Sequence, residues 1–114
     1  MTLTIWHNPR CSKSRQTLAL LEENGHAPKV RRYLEEAPSE AELRAAAAAL
    51  GLAPIAMMRP NEPEFKAARL SKDSPEDALF AAMAHMPKLI ERPIVFVNGK
   101  AAIGRPPEAV LEVI

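Results

Sequence analysis

The stretch LTIWHNPRCSKSRQTLALLEENG, Leu3 to Gly25, decides the fold. LTIWH at 3–7 is β-rich, and Asn8-Pro9 stops it. From Ser12 to Asn24 apolar residues return at a spacing of three to four, Leu18 and Leu21 among them, and Gly25 follows as a stop. A strand that gives way to a helix so quickly leaves one short loop between them. That loop, HNPRCSKSR at 7–15, holds the chain's one cysteine.

Working outward, KVRRYL at 29–34 predicts a second strand. The order strand, helix, strand favours a parallel pair joined by a crossover. Ser39 followed by Glu42 is a capping box before a helix over 39–50, closed by Gly51. Ala45 to Ala49 in that helix has high intrinsic propensity and no chemical content. A short helix is predicted over Glu62–Ala68. Ser74-Pro75-Glu76-Asp77 supplies an N-cap, a first-turn proline and first-turn acids for another helix, with Leu79, Phe80, Met83 and Met86 as its apolar face. Pro87 ends it. PIVFV at 93–97 reads as a buried strand, Asn98-Gly99 as a tight hairpin turn, and Lys100–Ile103 as the return strand. Pro106-Pro107 then opens a last helix over Glu108–Val113.

The order is βαβ, a helical insert at about 39–87, then ββα. It predicts an α/β protein with a thioredoxin-like fold and a four-stranded mixed sheet, as one domain over 1–114. In such folds the reactive site lies where the first strand meets the first helix, and Cys11 sits at that junction.

The totals narrow the chemistry. The 114 residues are 47% hydrophobic, enough for one core. Lys plus Arg is 15 against 14 acids, a net charge of +1, which gives no general case for nucleic acid or a membrane surface. One cysteine rules out an internal disulfide and a cysteine cluster for zinc, so no metal is expected. The start of the chain does not read as a signal peptide, and no segment approaches the ~20 apolar residues of a membrane span. The expectation is a cytoplasmic monomer with no tightly bound cofactor.

A lone cysteine is most often an inert filler of the core. The surroundings of Cys11 argue otherwise. A helix starting at Cys11 or Ser12 turns unpaired N–H groups and the positive dipole end toward the sulfur. Arg10, Lys13 and Arg15 add positive charge, the Ser14 hydroxyl is placed to donate to a thiolate, and His7 as imidazolium would contribute further. The same N–H groups suit an oxyanion. Three arginines, Arg59, Arg92 and Arg105, each precede a proline, which stiffens the backbone beside them. A planar guanidinium matches a tetrahedral oxyanion better than an ammonium does. Spacing alone does not prove that the three converge on Cys11.

The run His7-Asn8-Pro9-Arg10-Cys11-Ser12-Lys13-Ser14-Arg15-Gln16-Thr17-Leu18 resembles the active-site loop of the glutaredoxin-dependent arsenate reductases. YLEEAPSEAEL at 33–43, MMRPNEPEF at 57–65 and ERPIVFVNGKAAIGRPPEAVLEVI at 91–114 extend the resemblance over nearly the whole chain. It implies a thioredoxin-like fold with a helical insert and reduction of arsenate to arsenite. It further implies Cys11 as nucleophile, His7 and Ser14 as its activators, and Asn8 as a shaper of the loop. Arg59, Arg92 and Arg105, with Asn8 and Arg15, are the implied oxyanion ligands, and Arg92–Pro93 the implied cis peptide. Glutathione is the implied co-substrate and glutaredoxin the partner. This chain departs from the family pattern at Pro60, where a lysine is expected, and in ending at Ile114, where better-known members carry a longer tail.

Two alternatives stay open. A thiol–disulfide or glutathione-transfer enzyme would use Cys11 without arsenate. An Spx-like regulator that binds RNA polymerase would want C-x-x-C, and Ser14 stands where its second cysteine would be.

Overall fold

A computed structural model describes residues 2–114. The chain forms two compact units. One is discontinuous, made of residues up to Glu36 and from Arg92 onward; the other is the continuous segment Ala37–Glu91.

The discontinuous unit carries a four-stranded sheet. Its elements are β1 (Leu3–Trp6), α1 (Ser12–Glu23), β2 (Lys29–Arg31), β3 (Ile94–Val97), β4 (Lys100–Ile103) and a 3₁₀ turn at Pro107–Glu112. The strand order is β2-β1-β3-β4. β1 runs parallel to β2 and antiparallel to β3, and β3 runs antiparallel to β4. This is the mixed sheet expected of the thioredoxin-like fold. Leu3, Ile5, Leu21, Val95, Val97 and Val110 form its buried core, with Leu18, Ala102, Val113 and Ile114 packed on them. β1 and β3 are central and read as apolar runs; β2 and β4 are edges and carry lysine and arginine, which discourages pairing with other chains. The hairpin turn has positive φ at both Asn98 and Gly99, and Val97 pairs with Lys100 across it.

Two elements differ from expectation. β2 ends at Arg31, three residues early, because the carbonyl of Arg32 accepts the N–H groups of Glu35 and Glu36 and turns the chain out of the sheet. The last helix, expected as α over Glu108–Val113, is 3₁₀ over Pro107–Glu112, with the N–H of Ala109 donating to the carbonyl of Pro106. In a 3₁₀ turn residues three apart eclipse one another. That brings Val110 and Val113 to one side, where both meet the core.

The helical unit contains α2 (Glu40–Leu50), a 3₁₀ turn at Pro54–Met57, α3 (Pro63–Ala67), α4 (Glu76–His85) and a second 3₁₀ turn at Pro87–Leu89. The capping box is complete: the Ser39 hydroxyl accepts from the Glu42 N–H and the Glu42 carboxylate from the Ser39 N–H. Gly51 ends α2 in the left-handed conformation. Leu43, Ala46 and Ala47 of α2 and Leu79, Phe80 and Met83 of α4 are the buried faces of these packed helices. Met86 is only half-buried. Ser74 is not the cap of α4, since its hydroxyl accepts from the N–H of Ser71 within a local turn; Pro75 takes the cap position. Among the described residues no helix is long and apolar enough to cross a membrane.

Candidate active site

β1 ends at Trp6, yet the sheet holds the next residue too: the His7 N–H donates to the carbonyl of Arg31 at 2.8 Å. The loop that follows is tied by its own residues. The Asn8 side-chain oxygen accepts the N–H of Arg10 at 3.0 Å, and the Asn8 carbonyl accepts the N–H of Cys11 at 3.0 Å. Arg15 reaches back so that Nη1 donates to the Pro9 carbonyl at 2.9 Å. Asn8 and Arg15 therefore both brace the loop.

Cys11 is the N-cap of α1, with extended backbone, and its side chain makes no capping hydrogen bond. Helix N-caps are ordinarily Ser, Thr, Asp or Asn, whose oxygen accepts an orphan N–H. A thiol there leaves those donors to another acceptor, and no acidic residue sits in the first turn to take them. Cys11 is 8% exposed. Its surroundings are not purely apolar: Nη2 of Arg105 lies 4.0 Å from the sulfur, at hydrogen-bonding range.

Arg105 is held there by a second bond. Its Nε donates to the carbonyl of Arg92 at 3.0 Å. Arg92 thus meets Arg105 through its main chain. The Arg92–Pro93 peptide is cis, and so is Arg105–Pro106, for which the sequence raised no expectation. The Gly104 N–H donates to the Pro93 carbonyl at 2.9 Å, fastening the end of β4 to the start of β3.

His7 and Ser14 meet each other under the loop. The Ser14 oxygen stands 2.7 Å from His7 Nδ1 and accepts the N–H of Asn8 at 3.0 Å. Ser14 is fully buried and His7 nearly so. Burial, then the charges of Arg32 and Arg15, hold the imidazole below its ordinary pKa of 6.5. The shift disfavours the imidazolium form on which the sequence expectation for His7 drew. Its buried partner is a hydroxyl rather than a carboxylate, so nothing offsets the desolvation. The Ser14 hydroxyl engages His7 first, and the two form a buried polar tie under the loop.

Arg59 belongs to the helical unit. There its N–H donates to the Leu89 carbonyl, its Nη1 pairs with Glu62, and its Nε lies 3.8 Å from Glu91. The sequence reading missed both carboxylates. Glu62 lies three residues after Arg59, a spacing at which side chains on a turn meet. Glu91 offers no such local cue; Met58 and Ile90 pair as an isolated bridge, which carries residue 91 past residue 59. A groove of about 270 Å³ along α1 is lined by Gln16, Leu20, Glu23, Pro107 and Glu108. Its two carboxylates do not suit an anion.

Within the sheet unit, the structure thus brings His7, Asn8, Cys11, Ser14, Arg105 and the Arg92 main chain together. A thiol at a helix N-cap beside a guanidinium is suited to attack a small tetrahedral anion.

A solved structure of an arsenate reductase from Vibrio cholerae superposes with a TM-score of 0.96 at 56% identity, covering 100% of this chain and 98% of that one. The uncharacterized protein YfgD of Escherichia coli is 53% identical over 112 residues, 96% of this chain and 94% of that protein. An arsenate reductase of Neisseria meningitidis is 50% identical over 110 residues, 93% of this chain and 92% of that protein. The family model described as ArsC family matches residues 6–113, and the chain belongs to that family.

Proposed function

We propose that this protein reduces arsenate to arsenite with Cys11 as nucleophile and external thiols as reductants. The observation that carries the reading is the guanidinium of Arg105 at 4.0 Å from the sulfur of the residue at the N-cap position of α1. Arsenate binds with its oxygens toward the first-turn N–H groups of α1 and the guanidinium of Arg105. Arg92 adds charge from the start of β3, and Arg59 enters this reading from the sequence alone. The Cys11 sulfur attacks arsenic and expels one oxygen as water, giving a sulfur–arsenic bond with arsenic still in its oxidised state. Arginine charge stabilises the oxygens during the displacement.

Reduction takes two electrons. Two thiols supply them by ending as a disulfide, and this chain has one. The second thiol is external. Glutathione attacks the Cys11 sulfur, the sulfur–arsenic electron pair leaves with arsenic, and arsenite is released. The resulting mixed disulfide returns to thiol by exchange with glutaredoxin.

The test is arsenite production by the purified protein with glutathione and glutaredoxin supplied together and omitted in turn. Turnover is expected only with both present, and none is expected in Cys11→Ser. Substantial turnover in that variant would remove the nucleophile from the scheme. Turnover with glutathione alone at the full rate would remove glutaredoxin from it.

A further inference from the structure

Gly104 lies between β4 and Arg105. A Cβ built on it would stand 2.6 Å from Oγ1 of Thr17, 2.8 Å from Cγ of Pro93 and 3.2 Å from Cδ of Pro93. Neither neighbour yields easily. Thr17 is fully buried, with its hydroxyl donating to the Lys13 carbonyl at 2.8 Å, and Pro93 is a buried ring. Gly25, Gly51 and Gly99 have positive φ and open space around them; Gly104 has neither, so glycine is there for room alone.

The tight approach has a consequence one residue later. The Gly104 N–H bonds the Pro93 carbonyl at 2.9 Å and the Arg105 N–H bonds the Ile103 carbonyl at 2.9 Å, so the chain turns sharply while pressed on α1 and Pro93. From that turn Arg105 spans the Arg92 carbonyl and the Cys11 sulfur. Its distance to sulfur, 4.0 Å, is already at the outer limit of contact. A Cβ at residue 104 would need the chain to retreat by most of an ångström to reach ordinary van der Waals separation. Arg105 would then lose the sulfur.

We propose that Gly104 is a positioning residue for the Cys11 site: its missing side chain lets the end of β4 settle on Pro93 and Thr17, and that depth sets Arg105 beside the sulfur. The proposal rests on the reading of Cys11 and Arg105 as site partners; it does not depend on which oxyanion is the substrate.

Cys11 is the only thiol, so its alkylation is read without ambiguity. The ratio of rates with iodoacetate and iodoacetamide, one anionic and one neutral, reports the positive charge beside it. Arg105→Ala is expected to lower that ratio about two- to fivefold, the worth of one partly exposed charge. Gly104→Ala is expected to lower it as much. Gly99→Ala, which introduces backbone strain but meets nothing within 4 Å, is expected to keep the wild-type ratio. Should Gly104→Ala alone not fold, Gly104→Ala with Thr17→Ala removes the nearest clash and is compared with Thr17→Ala alone; the same fall is expected. An unchanged ratio in the Gly104 variants, or an equal fall in Gly99→Ala, overturns the proposal. If Arg105→Ala itself leaves the ratio unchanged, the proposal falls together with the site reading; if only the Gly104 variants do, it falls alone.

Discussion

Nδ1 of His7 lies 2.7 Å from the Ser14 hydroxyl, and that same oxygen accepts the N–H of Asn8. The end of β1 is thereby tied to the first turn of α1 through one fully buried oxygen. Ser14→Ala would strand a buried N–H and a buried ring nitrogen. The expected cost is about 1–3 kcal/mol, the penalty for unsatisfied buried polar groups. Chemical denaturation checks it, and a midpoint equal to wild type would mean that the tie carries no stability.

The depressed pKa of His7 has a definite pH signature. Between the folded value and the ordinary 6.5, the unfolded chain binds a proton that the folded chain refuses. Stability is therefore complete above 6.5 and falls as pH drops through that value toward the folded pKa. Denaturation midpoints measured as the pH is lowered should decline, and His7→Gln should flatten that decline. A His7→Gln protein with the same acid limb as wild type would assign the loss to other groups.

Arg105→Ala and Arg92→Ala are expected to raise the KM for arsenate by about ten- to a hundredfold, the worth of a hydrogen bond to a charged group. Arg31→Ala is the control. Its guanidinium lies 5.7 Å from the Trp6 ring and its Nε donates to the Glu36 carbonyl, so its loss touches stability and leaves KM within about twofold. Small and equal effects from all three would dismantle the oxyanion site.

Arg59 already holds two carboxylates within the helical unit. If it grips an oxyanion, Glu62 competes for it. Glu62→Gln should then strengthen inhibition by a non-reducible oxyanion such as sulfate by about two- to fivefold, the range of a partly exposed ion pair. Steady-state inhibition constants decide the matter; an unchanged constant would make Arg59 a structural brace of its own unit.

Much of this was legible in the residues. The step from β1 to α1, the Ser39–Glu42 capping box and the Asn98-Gly99 turn are local devices, and each formed as its residue types dictate. Less legible were features set by distant partners. β2 is short because of a turn at Arg32, and the final helix is 3₁₀ rather than α, with Val110 and Val113 both against one core. The same holds at the site. The cysteine and its cap position follow from sequence, but the charge state of His7 depends on burial and on Arg32, which no spacing announces. Gly104 gave a faint signal, a glycine at a strand end, whose meaning lies in Pro93 and Thr17.

The antiparallel pairing of β1 with β3 joins Leu3 to Val97. A ribosome must therefore make nearly a hundred residues before the middle of the sheet exists, at roughly 5–20 residues per second. Until then β1 can pair only with β2, and the nascent thiol waits without Arg105. Such long-range closure slows folding. A nascent chain stalled before Ile94 should expose Cys11 to any thiol reagent as freely as an unfolded peptide does.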